Sequence, residues 1–178
     1  SGALELSRSE EICRSEYSFR AFDLCSANLL GRGVDAVTSI VWFRDDLRIA
    51  DNPALLAAAA GGGPVICVYV LDEASPGIRP LGGAAKWWLH GSLASLAEQV
   101  QALGSQLVLR QGPAAEAIAT LVTETDAAAV YWNRRYGGPE RTIDTAIKTS
   151  LREAGVTVEA FGASLLFEPW TVRTGGGT

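Results

Sequence analysis

The chain is poor in the residues that usually announce chemistry. Its only histidine is His90 and its only lysines are Lys86 and Lys148. A formal charge of −5 together with so few lysines argues against a surface that grips nucleic acid by itself, because phosphate binding needs clustered cations. Three cysteines, Cys13, Cys25 and Cys67, form an odd set at unrelated spacings, which speaks against a disulfide framework and against a zinc site. Cys67 lies inside an apolar run and reads as a small core residue, and a reducing, cytoplasmic setting is expected. Glycine, proline or a charge interrupts every apolar stretch before it could cross a bilayer, so a soluble protein with no membrane partner is expected.

Familiar motifs are missing too. There is no GxxxxGK[ST] phosphate loop, and no GxGxxG follows the first strand-like segment, which disfavours ATP or nicotinamide chemistry in its usual form. His90 is flanked by apolar helix residues without a serine elbow or an HExxH pattern, and reads as a structural residue. No catalytic residue and no metal ligand set is assigned.

What is present is a rhythm. With 178 residues, 48% of them apolar, the chain can bury one core. From Thr38 onward short β-rich runs alternate with longer stretches of helical period, the pattern of a parallel sheet covered on both faces. Five strands are expected at Thr38–Phe43, Pro64–Leu71, Gln106–Arg110, Ala128–Trp132 and Val156–Phe161. Asn52 and Pro53 open a short helix that Gly61–Gly63 stops. A second helix, about Ala84 to Leu103, sets Leu89, Leu93, Leu96, Val100 and Leu103 on one face, and Gly104 ends it. A third starts at Pro113 and buries Ala117, Ile118, Leu121 and Val122. A fourth starts near Pro139 and buries Ile143, Ile147 and Leu151. The fold class expected is α/β, a Rossmann-like five-stranded parallel sheet in the order 3-2-1-4-5.

In such sheets ligands bind beyond the carboxyl ends of the strands, where the strand order reverses. Polar residues gather at those ends: Arg44, Asp45, Asp46 and Arg48 after the first strand, Asp72 after the second, Arg110 at the third, and Asn133, Arg134 and Arg135 after the fourth. The segments Arg44–Asp51 and Asn133–Glu140 are expected to face each other across the crevice. For any one of these charges, solvation of a loop end or pairing with a neighbour is an equal alternative. Trp87 and Trp88 offer flat faces for stacking on a chromophore, or for core and domain-interface packing.

Residues 1–37 break the rhythm, carrying six acidic residues against four arginines, and read as an extension of unknown role rather than a targeting segment. A last strand or turn is expected around Leu165–Trp170. The start at Ser1 and the closing TGGGT suggest a truncated chain.

Four segments, IVWFRDDLRIADNPAL (Ile40–Leu55), KWWLHGSLASL (Lys86–Leu96), VYWNRRY (Val130–Tyr136) and LLFEPW (Leu165–Trp170), resemble the photolyase/cryptochrome family in order and interval. The resemblance covers Thr38 to the end and implies an amino-terminal α/β domain, residues 38–178, that carries or borders a light-harvesting chromophore: a folate, a deazaflavin or a flavin. It also implies that FAD and the ultraviolet-damaged DNA belong to a helical domain absent from residues 1–178, so the α/β piece alone is not the enzyme, while its parent is a deoxyribodipyrimidine photo-lyase. The alternatives are a cryptochrome-type photoreceptor without repair activity or a free-standing nucleotide- or flavin-binding module. Crevice position nominates Arg44, Asp72, Lys86, Asn133 and Arg135 as chromophore-binding residues. Glu140 joins them because it aligns with an acidic residue that holds the pterin ring in folate-binding members. Gly137-Gly138 and Ile143 depart from the family pattern, which leaves the chromophore open.

Overall fold

A computed structural model describes residues 37–165, 167–169 and 171. Of the extension expected at residues 1–37, all but Val37 lies outside the described residues, Cys13 and Cys25 included. Five strands, β1 (Ser39–Phe43), β2 (Val65–Leu71), β3 (Leu107–Gln111), β4 (Ala129–Asn133) and β5 (Thr157–Phe161), form one parallel sheet in the order β3-β2-β1-β4-β5. Each lies within one residue of its expected position, and the order is the expected one.

The strands alternate their side chains between two layers, as a period of two requires. Ile40, Trp42, Val130, Trp132 and Val158 face the layer that holds α3 (Ala114–Thr125) and α4 (Gly138–Glu153). Val41, Phe43 and Cys67 face the opposite layer, with α1 (Pro53–Ala60) and α2 (Gly83–Ala102). Burying a side chain such as Phe43, 1% exposed, contributes about 1.5–3 kcal/mol. The first two crossovers therefore run over one face and the last two over the other, which opens a crevice between β1 and β4.

Local chemistry explains the helix ends. Asn52 Oδ1 accepts from the Leu55 amide at 3.1 Å, with Pro53 in the first turn, a side-chain cap for α1. Gly63 lies so close to the Val37 backbone that any β-carbon there would collide with its carbonyl. Gly104, at φ 81°, takes the left-handed turn that stops α2.

The expectation for α2 holds in half. Leu96 and Val100 are fully buried, Leu89 and Leu93 are half-buried, and Leu103 is 64% exposed. A 20-residue helix extends about 30 Å, whereas the five-residue strand β3 offers only about 17 Å of sheet, so the amino-terminal half of α2 overhangs. Trp87 and Trp88, 75% and 71% exposed, ride on that overhang and are not core residues of the described chain. Beyond β5, the described part of Leu165–Trp170 forms bends and a turn rather than a strand; Leu166 and Trp170 lie outside the described residues.

Candidate functional site

At the carboxyl rim, between β1 and β4, lies a hollow of about 250 Å³ lined by Arg44, Asp45, Asp46, Asn133, Arg134, Arg135, Tyr136 and Ser164. The loops after β1 and β4 thus meet there, joined by the loop after β5.

Arg44 continues the parity of Ile40 and Trp42, so its side chain turns toward α4. Its Nη1 donates to both carboxylate oxygens of Asp144, at 2.6 and 2.7 Å, and its Nη2 donates to the Asn133 carbonyl. Only 4% of the Arg44 side chain and 13% of Asp144 are exposed. Burial pulls the Arg44 guanidinium below its ordinary value, and the Asp144 carboxylate opposes that shift. Arg135 donates to the same carboxylate at 3.0 Å. The buried cluster therefore carries two cations on one anion. Both guanidiniums lie over the Trp42 ring, with Cζ 4.6 Å (Arg44) and 5.5 Å (Arg135) from its centroid. Nε of each arginine and Nε1 of Trp42 are buried with no protein hydrogen-bond acceptor among the described residues.

Asn133 has the opposite parity and serves the α1 layer. Its Nδ2 donates to the Asp46 carboxylate and to Asn52 Oδ1, the latter at 2.9 Å, while its Oδ1 accepts from the Ala54 amide at 3.3 Å. One amide thus ties β4 to the loop after β1 and to the start of α1. Glu168 accepts from Arg134 at 2.6 Å and from the Tyr136 hydroxyl at 3.0 Å, which latches the segment after β5 to the same rim. Burial first, then the Glu168 carboxylate, raises the Tyr136 hydroxyl above its ordinary value.

Of the six residues nominated from sequence, Arg44, Asn133 and Arg135 come together in the hollow, and the other three do not line it. Asp72 is spent on backbone: Oδ2 accepts from the Ala114 amide at 3.1 Å, and Oδ1 from Ala74 and Ser75. Lys86, on the overhang of α2, pairs with Glu73 at 2.9 Å. Glu140 sits half-buried in the first turn of α4. Asp144, Ser164 and Glu168 were not nominated. Asp144 had a signal: it lies between Ile143 and Ile147 at the border of the buried stripe of α4, where an acid must find a cation.

Hydrogen-bond donors in fixed positions over two buried indoles suit a flat ligand with polar edges. Among the described residues no group of metal-ligating side chains is present, and exposed His90 is not part of the hollow.

A sequence model of the DNA photolyase family matches residues 39–178. The chain belongs to that family. The resemblance read from the four segments is borne out. A bacterial class III photolyase from Agrobacterium tumefaciens is 44% identical, with a TM-score of 0.74 over 83% of this chain and 30% of its own. An archaeal photolyase from Sulfolobus tokodaii, solved with two FAD molecules that imply a novel light-harvesting cofactor, is 25% identical, with a TM-score of 0.69 over 77% of this chain and 32% of its own. Cryptochrome-1 of Arabidopsis thaliana is 39% identical over 137 residues, 75% of this chain and 20% of the relative. The α/β architecture is that of the photolyase amino-terminal domain. The chain spans less than a third of the length of these photolyases.

Proposed function

We propose that this chain is the light-collecting part of a deoxyribodipyrimidine photo-lyase, and that its rim hollow holds a flat antenna chromophore. The observation that supports this best is the hollow itself: it lies at the strand-order reversal, the usual ligand position of such sheets, and presents Arg44, Asn133 and Arg135. Its volume, about 250 Å³, is just below the usual range for small-molecule sites and suits a ring system rather than a whole dinucleotide. Arg44 and Arg135 offer donors to an acceptor-rich ring, as in a flavin or deazaflavin; of the two carboxylates in the lining, Asp46 is taken up by the Asn133 amide and Asp45 is solvent-exposed, which leaves little to hold the amino edge of a pterin. Glu140, which would hold such a pterin, is not in the lining. The bound group supplies absorption of near-ultraviolet or blue light, and the residues fix its position and exclude water. The partner in this reading is a helical FAD domain belonging to the longer parent, which holds the damaged DNA, in the cytoplasm.

The test is fluorescence anisotropy of FMN titrated into the purified chain. Saturable binding that weakens about tenfold or more in Arg135→Ala supports the reading; no binding, or binding indifferent to Arg135, defeats it. A cryptochrome-type photoreceptor is the second reading, favoured by the match to the plant protein. Dimer splitting by the parent protein under blue light separates the two.

A further inference from the structure

The hollow carries a hazard that its ligand would meet at once. Beneath Arg44 and Arg135 lie two indoles, Trp42 and Trp132, with centroids 5.7 Å apart in an edge-to-face pair. Indole gives up a lone electron, with no proton leaving, more easily than the phenol or imidazole rings of a protein do. A photoexcited ring held one side chain away can take an electron from it: Trp42 loses one electron and becomes a radical cation, the ligand is reduced by that electron, and its return restores both while the excitation is lost as heat.

We infer that Arg44 and Arg135 guard against this loss by holding positive charge over Trp42 and Trp132, so that the indoles cannot donate an electron to an excited ligand in the hollow. The inference rests on the chromophore reading above.

Three features carry it. A guanidinium attracted to the neutral indole face repels the same ring once it is a cation. Arg44 Cζ is 4.6 Å from the Trp42 centroid and 5.8 Å from that of Trp132, and Arg135 Cζ is 5.5 Å from Trp42. Asp144, the carboxylate bonded to both guanidiniums, offsets one of their two charges; Asp46 also lines the hollow but is taken up by the Asn133 amide, and Asp45 is solvent-exposed, so water and salt screen it. Burial adds to the effect, because Trp42 and Trp132 are 2% and 1% exposed and no water solvates a charge formed there. Trp42 Nε1 is buried with no protein acceptor among the described residues, so none of these is placed to take a proton from the oxidised ring. For a core whose only need was apolar filling, two guanidiniums above the indoles would be a costly choice.

The experiment uses the purified chain with FMN as the probe, its occupancy fixed by anisotropy, and reads the excited-state lifetime of bound FMN. In the native chain Trp42→Phe should change the lifetime by less than about twofold. Arg135→Met should shorten it about fivefold or more, and Arg135→Met with Trp42→Phe should restore it. A native lifetime already quenched and lengthened severalfold by Trp42→Phe overturns the inference, as does an unchanged lifetime in Arg135→Met. If FMN does not bind, the chromophore reading fails in its flavin form, and the guard is then tested without ligand. Azide radicals made by pulse radiolysis should oxidise Trp42, read by peptide mass spectrometry, severalfold more in Arg135→Met than in the native chain. Equal oxidation of the two, with indole emission confirming equal burial, overturns it.

Discussion

Arg44 illustrates how a single side chain can be structural and still line a hollow. Its guanidinium spends three contacts on Asp144 and the Asn133 carbonyl, yet the same group forms one wall of the hollow. Removing its partner strands a buried charge, so Asp144→Ala should cost about 3–5 kcal/mol in urea unfolding, whereas Asp144→Leu combined with Arg44→Met and Arg135→Met, which removes both cations along with their shared anion, should cost much less. Cys67 gives a second prediction at this scale. Burial raises its thiol to about 11 from a reference of 9.0, so the folded chain keeps a proton that the unfolded chain gives up earlier. The stability tied to that proton is complete below about pH 9 and is lost as pH rises toward about 11. Iodoacetamide at pH 7.5 should therefore leave Cys67 unlabelled until the chain is denatured, checked by peptide mass spectrometry. Of these residues, Arg44 was legible from sequence because it sits one step past an apolar run and follows that strand's parity. Asp144 was not, since a helix can aim an acid at its edge either into solvent or inward, and only the packed layer decides.

The elements show the same division between local and tertiary causes. Strand positions were readable because each run is short, β-rich and bounded by turn residues; helix α1 was readable from Asn52 and Pro53. The exposure of Leu103 and of the first half of α2 was not, because periodicity reports which face is apolar but not how far the sheet beneath it extends. Asp72 was read as a ligand group and is instead an anchor for the turn after β2 and the start of α3. Partial burial pushes its carboxyl up, but the hydrogen bonds from Ser75, Ala114 and Ala74 outweigh this and leave it below the ordinary value. The fold therefore holds that proton less tightly than the unfolded chain does. Its stabilising effect is full above about pH 4 and fades as acidity increases below that. Asp72→Ala should lower stability by about 1–2 kcal/mol at pH 7, and urea titrations should show the gap to the native chain narrowing below pH 4.

At the scale of the molecule, the order of strands was legible because right-handed crossovers leave few ways to arrange five alternating units. The identity of the proposed ligand was not legible, since it depends on which rim groups remain uncommitted after the fold has used the rest. With a formal charge of −5, residues 1–178 should bind duplex DNA weakly, with no preference for irradiated over intact duplex in gel-shift assays. By itself the purified chain should split no pyrimidine dimers under blue light, read by chromatography of irradiated oligonucleotides.

One feature of β1 ties these scales together. Because its side chains point alternately up and down, the same five residues that fill both halves of the interior also set the direction in which Arg44 departs. Deleting one residue from Ser39–Phe43 would send large aromatic rings to the wrong side and swing that arginine away from α4 in the same stroke. Interior and rim are thus read from one ruler, and neither can drift by a single step without carrying the other along.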